Sequence, residues 1–328
     1  MFVGHGYLGV DLFFVLSGYV MAMNYSGMFA AGWSRIAYQR FLGRRIARIY
    51  PLYLVAMIAG FILVELRWLD YPKAVPLGGA LGLNLLMVQV WGLVQSFDGP
   101  GWSISAEWAA YLVFPLLLIP TMFRKPIWCS IFALLCVALL ARLCSFSASL
   151  HAPTHMPGAL LYFWEPWLAL PVLRCLPEFG LGMLAFRFAG TPFGARIRAS
   201  AFISPLTCLA IVALSALPDT DLGVVLLLPL LIVSLASSTH VIGRILASPL
   251  AVFVGSLSYS LYLIHFLLIG AVVSGVYALA HGLGLTALAF NVVTAAIGIV
   301  LTFLVAFVTY RAIELPGRRW LRASFEPA

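Results

Sequence analysis

Residues 6–25 read GYLGVDLFFVLSGYVMAMNY. The run is apolar and long enough to cross a bilayer, which takes about 20 residues as a helix. Yet it carries Asp11 near its start and Ser17–Gly18 in its middle. A plain lipid anchor needs none of these. Small residues let helix backbones approach closely, and Gly9, Ser17 and Gly18 supply them. A carboxylate facing lipid costs about 3 kcal/mol. Asp11 therefore either faces protein or water inside a bundle, or sits at the outer surface of the membrane.

The whole chain follows this pattern. Of its 328 residues 63% are hydrophobic and 9% charged, where a soluble domain carries about 25% charged residues. It is a single membrane-embedded chain with no soluble domain, read as one domain over 1–328. Met1 leads almost directly into the first span without a basic leader or cleavage site, so no cleaved signal peptide is expected. Cys129, Cys136, Cys144, Cys175 and Cys208 form no CxxC pair and lie mostly in apolar runs, which makes them packing residues. His151 and His155 have no cysteine or acidic cluster around them, so no metal is expected. The net charge of +8 needs no nucleic acid, because basic loops account for it.

Candidate spans cover 8–24, 50–66, 104–122, 127–146, 175–189, 200–217, 222–238, 250–274 and 284–309. A weaker segment, 77–95, is interrupted by Asn84 and Gln89. Lys and Arg gather in cytoplasmic loops. If 77–95 does not cross, every basic cluster after Arg35–Arg48 falls on the inner side with it. The expectation is an all-α, polytopic membrane helix bundle of nine spans, with 77–95 re-entrant or interfacial. The amino end lies outside and the carboxyl end inside. Non-helical backbone at membrane depth is tolerated only where protein buries it or water reaches it, so 77–95 hints at a cavity.

Ionisable groups inside spans suggest function. In WSISAEWAAY (102–111), Glu107 and Tyr111 lie four residues apart on one helical face, and Ser105 can cap or line the segment. Glu107 is either a site carboxylate or an interfacial residue flanked by Trp102 and Trp108. In GSLSYSLYLIHF (255–266), Ser258, Tyr262 and His265 share a face. His265 lies deep in the span by count. A neutral imidazole there is either a general base or a hydrogen-bonding partner of a neighbouring helix. In SRIAYQRFLGRRIARIY (34–50), Arg40, Arg44 and Arg48 form a stripe with Arg45 beside it. Ser34 caps that helix and Pro51 opens the next. Guanidinium groups suit phosphates. The stripe is either an anchor on anionic lipid or a dock for a phosphate-bearing donor. Glu314 in IELP (313–316) reads as a surface partner of Arg311.

Six pieces in order, GYLGVDLFFVLSGYV, RFLGRRIARIYPLYL, GWSISAEWAAYLVFP, PEFGLGMLAF, VGSLSYSLYLIHF and AIELPGRRW, resemble the acyltransferase 3 family of bacterial integral membrane O-acyltransferases. The resemblance spans nearly the whole chain. It implies transfer of an acyl group, usually acetyl from acetyl-CoA, to a hydroxyl of a lipopolysaccharide, exopolysaccharide, peptidoglycan or glycosylated small molecule. Acyl-CoA is then a co-substrate, with no cofactor bound. Membrane lipid and a glycan or glycolipid acceptor are the partners, in a bacterial inner membrane. On this resemblance Arg44, Arg45 and Arg48 hold the diphosphate and 3′-phosphate of CoA. Trp102, Ser103 and Glu107 lie near the acceptor, with Asp11, Ser17 and Tyr259 lining the substrate site. Glu107, Ser258, Tyr262 and His265 are the catalytic candidates.

The family pattern begins with a further helix bearing an arginine and then a histidine, which this sequence does not contain. His5 does not match that motif. Without such a helix, little or no transfer is expected from a protein starting at Met1, and an inactive homologue is a rival reading. A transporter or flippase is another. Transporters commonly show internal repeats between halves, and no convincing repeat is visible here.

Overall fold

A computed structural model describes residues 2–72, 75–149, 159–161, 167–236, 240–283 and 286–325. Every regular element among them is helical. The α-helices are α1 (Gly9–Tyr25), α2 (Arg35–Glu65), α3 (Leu77–Leu85), α4 (Gly101–Leu118), α5 (Pro126–Ser149), α6 (Leu170–Ala189), α7 (Pro192–Ala199), α8 (Ile203–Ser215), α9 (Asp221–Leu235), α10 (Val241–Leu246), α11 (Pro249–Leu283), α12 (Ala287–Thr309) and α13 (Leu315–Phe325). The chain forms an all-α integral membrane bundle. It clusters into one unit of Met1–Tyr38, Val90–Gly92 and Ser105–Ala251, and a second of Gln39–Gln89, Leu93–Ile104 and Val252–Ala328.

Among the described residues six helical stretches are long and apolar enough to cross a membrane, and the bent pair α7–α8, at 81°, makes a seventh if it counts as one span. With that pair counted, two of the nine expected spans fall short on that test. The helix α9 has 15 residues. The helix α6 has the length, but Arg174, Glu178 and Arg187 interrupt its apolar character. His151 and His155 lie outside the described residues.

In the first unit α1 packs against α6 through two glycines. A Cβ on Gly18 would lie 1.9 Å from the Phe179 carbonyl oxygen, and one on Gly182 would lie 1.9 Å from that of Val15. The backbones touch, so the small residues of the opening stretch serve close packing. Gly9 does not share this role: nothing lies within 4 Å of its Cβ position. Around the crossing Val15, Tyr19, Ala185, Leu228 and Ile232 form a buried cluster. Cys136, Cys144 and Cys175 are buried, and all five cysteines are free thiols.

In the second unit α2 runs unbroken through Pro51, which corrects the expectation that a new helix opens there. Its 31 residues span about 46 Å, well beyond a hydrocarbon core of about 30 Å. The surplus accommodates the basic end, Arg35–Arg48, outside the apolar slab. The segment 77–95 forms the nine-residue α3, about 14 Å long, followed by turns. Buried polar contacts hold those turns. The Tyr53 hydroxyl donates to the Asn84 carbonyl at 2.7 Å. The Gln89 amide donates to Tyr53 Oη at 2.9 Å and to the Gly101 carbonyl at 3.1 Å. Asn84 and Gln89, which interrupt the apolar run in sequence, are the residues that fix its non-helical backbone.

Candidate functional site

The WSISAE stretch starts α4, and Asp98 sets its first turn. Asp98 Oδ1 accepts the Gly101 N–H at 2.8 Å and the Ser96 hydroxyl at 2.9 Å. Gly101 has no room for a side chain, since a Cβ would sit 2.4 Å from that same Oδ1. One turn on, Ser103 Oγ lies 2.8 Å from Tyr262 Oη, and both hydroxyls reach the Pro100 carbonyl, at 3.1 and 3.2 Å. The second unit thus joins two of the sequence motifs at Ser103–Tyr262. Trp102 is half-buried beside them.

Asp98 is fully buried, and burial pushes its carboxyl up to about 7, with the Ser96 and Gly101 bonds opposing. Its folded-state pKa therefore lies above the unfolded value. Stability is greatest where Asp98 is protonated in both states. It falls as pH rises from about 4 to about 7 and is flat above. Asp98→Asn keeps the accepting oxygen and removes the charge. Its melting advantage over the parent is expected to grow by about 2 kcal/mol between pH 5 and pH 8. Equal melting curves at both pH values would contradict this.

His265 is exposed, although it lies well along α11 from Pro249, as its count in the span predicts. Among the described residues of α11 those buried are Leu257, Ser260, Leu263, Ile264, Val272 and Val276, and His265 is not one of them. Its Nδ1 stands 2.6 Å from the Tyr262 carbonyl. A carbonyl can only accept, so Nδ1 carries the hydrogen and Nε2 is the basic nitrogen. Ser258 shares a face with Tyr262 but not a cluster: its hydroxyl donates to the Gly255 carbonyl of its own helix at 2.8 Å. The Tyr259 hydroxyl donates to the Ile49 carbonyl of α2 at 2.7 Å, so it braces the helix that carries the arginines.

Arg44, Arg45 and Arg48 are half-buried on α2. Arg48 Nη1 lies 4.0 Å from Glu314 Oε1, and Glu314 Oε2 accepts the Ser260 hydroxyl at 2.8 Å. Glu314 is buried at 1% exposure, which corrects its reading as a surface partner of Arg311. It is a buried carboxylate beside Arg48.

In the first unit Glu107 and Tyr111 meet as their spacing predicts. The Tyr111 hydroxyl donates to Glu107 Oε1 at 2.6 Å and lies 3.2 Å from Ser17 Oγ. Ser17 of the opening stretch is therefore joined to the WSISAE motif. Asp11 is fully buried and faces protein. It takes two bonds from Arg174, the Nε–H at 2.9 Å and an Nη2–H. Glu178 Oε1 lies 3.7 Å from Arg174 Nε. Nearby, Asp221 accepts the Tyr7 hydroxyl and the Leu161 N–H, the latter at 2.7 Å, and stands 3.5 Å from His5 Nε2.

The sequence reading missed Arg174, Glu178, Asp221, Tyr7 and His5. A signal was present for two of them: Arg174 and Glu178 are four residues apart in an otherwise apolar run, so they share a helix face. Asp221 offered none, because a Pro-Asp-Thr-Asp turn reads as an ordinary exposed loop.

The family model described as an acyltransferase domain matches residues 1–311. Acyltransferase MdmB of Streptomyces mycarofaciens is 32% identical over 292 residues, a match covering 80% of this chain and 68% of that protein. Protein 2 in picA locus of Rhizobium radiobacter is 45% identical over 69 residues, covering 20% of this chain and 35% of that protein. No solved structure matches this chain.

Proposed function

From the premise that the chain belongs to the acyltransferase 3 family of membrane acyltransferases, we propose that it moves an acetyl group from acetyl-CoA to a hydroxyl of a sugar or cell-surface glycan, in a bacterial inner membrane. The observation that carries the choice of donor is the half-buried guanidinium stripe Arg44, Arg45 and Arg48 on α2. Guanidinium forks bind phosphate oxygens in pairs, and CoA presents a diphosphate and a 3′-phosphate.

The reaction needs a group to take the proton of the attacking hydroxyl and donors for the charge that develops on the thioester oxygen. His265 Nε2 fits the first role, since Nδ1–H is committed to the Tyr262 carbonyl. Tyr262, paired with Ser103, is the candidate donor. The acceptor oxygen bonds to the thioester carbonyl carbon, the C–S bond breaks, and the proton held on His265 passes to the departing thiolate. The products are the ester and CoA–SH. In the first unit Glu107, Tyr111 and Ser17 form a hydrogen-bonded acid–base group of their own, while Asp11 is spent on Arg174. Ser258 enters only as a neighbour, since its hydroxyl is spent on its own helix.

The test is incubation of membranes bearing the full chain with radiolabelled acetyl-CoA and scoring of label in glycan. Label is expected to enter where the family's arginine- and histidine-bearing first helix accompanies the chain. His265→Ala should cut the rate by about 100-fold or more, the range of general acid–base catalysis, and Arg45→Ala should raise the KM for acetyl-CoA about 10-fold. Unlabelled glycan that is nevertheless moved across the membrane would replace this reading with transport.

A further inference from the structure

Tyr262 and Phe266 are i and i+4 on α11, so they share one face of it. Both reach the turn that leads into α4. The Tyr262 hydroxyl lies 3.2 Å from the Pro100 carbonyl. The Phe266 ring rests on Gly99, where a Cβ would come 2.9 Å from it. Gly99 has φ +70°, a left-handed conformation that glycine adopts without strain. Asp98 Oδ1 holds the same turn by accepting the Gly101 N–H at 2.8 Å. A hydroxyl and an aromatic ring of α11 thus meet adjacent residues, Pro100 and Gly99, of one hydrogen-bonded turn.

The ring is not sealed into the core. Phe266 is 37% exposed, so part of its surface stays open one helical turn from the Ser103–Tyr262 pair. A thioester oxygen that takes a hydrogen bond from Tyr262 lies about 2.8 Å from Oη, and its acyl carbons begin one bond further on. An acetyl group ends at the methyl beside the carbonyl carbon. Every further methylene needs space of its own. Side chains at i and i+4 stand about 6 Å apart at Cβ, which puts the Phe266 ring within the reach of a chain of four to six carbons.

We propose that Phe266 sets the length of the acyl group, its ring closing the space beside Tyr262 to chains longer than acetyl. The assignment rests on the acyl-CoA reading above and deepens it. The ring carries no proton and no charge, so its part is to select the donor and not to transfer the group. Gly99 lets the ring lie against the turn, and any side chain there would push it away. A methylene that gains apolar surface is worth about fourfold in affinity. One driven against a ring that is backed by backbone gains nothing and must displace the ring.

The experiment measures binding of acetyl-CoA and of hexanoyl-CoA to the full chain in nanodiscs of zwitterionic lipid, with binding to empty nanodiscs subtracted. The parent protein should bind acetyl-CoA about 10-fold more tightly than hexanoyl-CoA. In Phe266→Ala that ratio should fall by about 10-fold or more, through tighter binding of hexanoyl-CoA. Phe266→Leu should shift the ratio in the same direction by less, and it decides the matter if the alanine variant fails to fold. Leu268→Ala removes apolar bulk about 200° around the helix from Phe266, and should leave the ratio where it is. A ratio unmoved by both Phe266 variants, with acetyl-CoA still bound, overturns the assignment and leaves the acyl-CoA reading standing. A parent that binds hexanoyl-CoA as tightly as acetyl-CoA also overturns it. No binding of either thioester by the parent overturns both.

Discussion

Arg174→Met is expected to lower the melting midpoint of the protein in detergent or nanodiscs by about 10 °C, the largest stability effect of any single side-chain replacement argued for this chain. Arg174 is 1% exposed, with Asp11 and Glu178 at 0% beside it. Methionine fills similar space along the aliphatic stem, so the change tests charge more than volume. It leaves two carboxylates without their guanidinium in a place water does not reach. Removing one partner of a buried ion pair costs about 3–5 kcal/mol, chiefly through the group left behind. The second variant separates this cause from packing. Asp11→Asn/Arg174→Met removes one of the orphaned charges and should recover about 1–3 kcal/mol relative to Arg174→Met alone. A double variant no more stable than the single one would mean that the guanidinium contributes mainly by filling space. The effect should persist in high salt, because a buried pair is little screened.

The same residues show what a sequence discloses and what it withholds. Asp11 was visible at once, because a carboxylate in an apolar run is costly and needs a partner. The partner was not visible, since Arg174 lies 163 positions away and pairing across helices leaves no periodic trace. Glu107 with Tyr111 was legible because both sit on one helix, where spacing alone decides which side chains meet. The helical fold class followed from apolar composition and span length, which are local properties. Span number is less legible: the sequence reading counts 175–189 as a span, whereas Arg174, Glu178 and Arg187 make the whole of α6 more polar than the other long helices, although its 20 residues have the length of a span. The exposure of His265 is not legible for a related reason. Counting residues from a helix start gives depth along the axis, whereas exposure depends on which face the neighbours cover. Pro51 illustrates the limit of local rules. Proline usually marks a helix start or a break, but α2 continues through it and uses its ring as the surface on which Gly317 rests.

Gly182→Ala is expected to destabilise the first unit by more than about 2 kcal/mol, at the severe end of overpacking, although alanine is the better helix former. The added methyl would sit 1.9 Å from the Val15 carbonyl oxygen, and the obstacle is backbone, which cannot swing aside as a side chain can. Ordinary contact needs about 3.2 Å or more, so α1 and α6 must part by over 1 Å at their crossing. Gly18 makes the reciprocal contact with the Phe179 carbonyl at the same 1.9 Å, so neither helix can slide to relieve the other. The strain is then passed along α1 toward Asp11, whose bonds to Arg174 tie the same two helices together and tolerate little stretch. Gly255→Ala provides the comparison. Gly255 lies within α11 with nothing within 4 Å of its Cβ position, so the substitution should be neutral or stabilise by about 0.5–1 kcal/mol through reduced backbone freedom. Thermal melts of the two variants beside the parent decide the matter. If Gly182→Ala and Gly255→Ala shift the midpoint in the same direction, helix propensity governs both sites and the close α1–α6 crossing does not set the stability of the bundle.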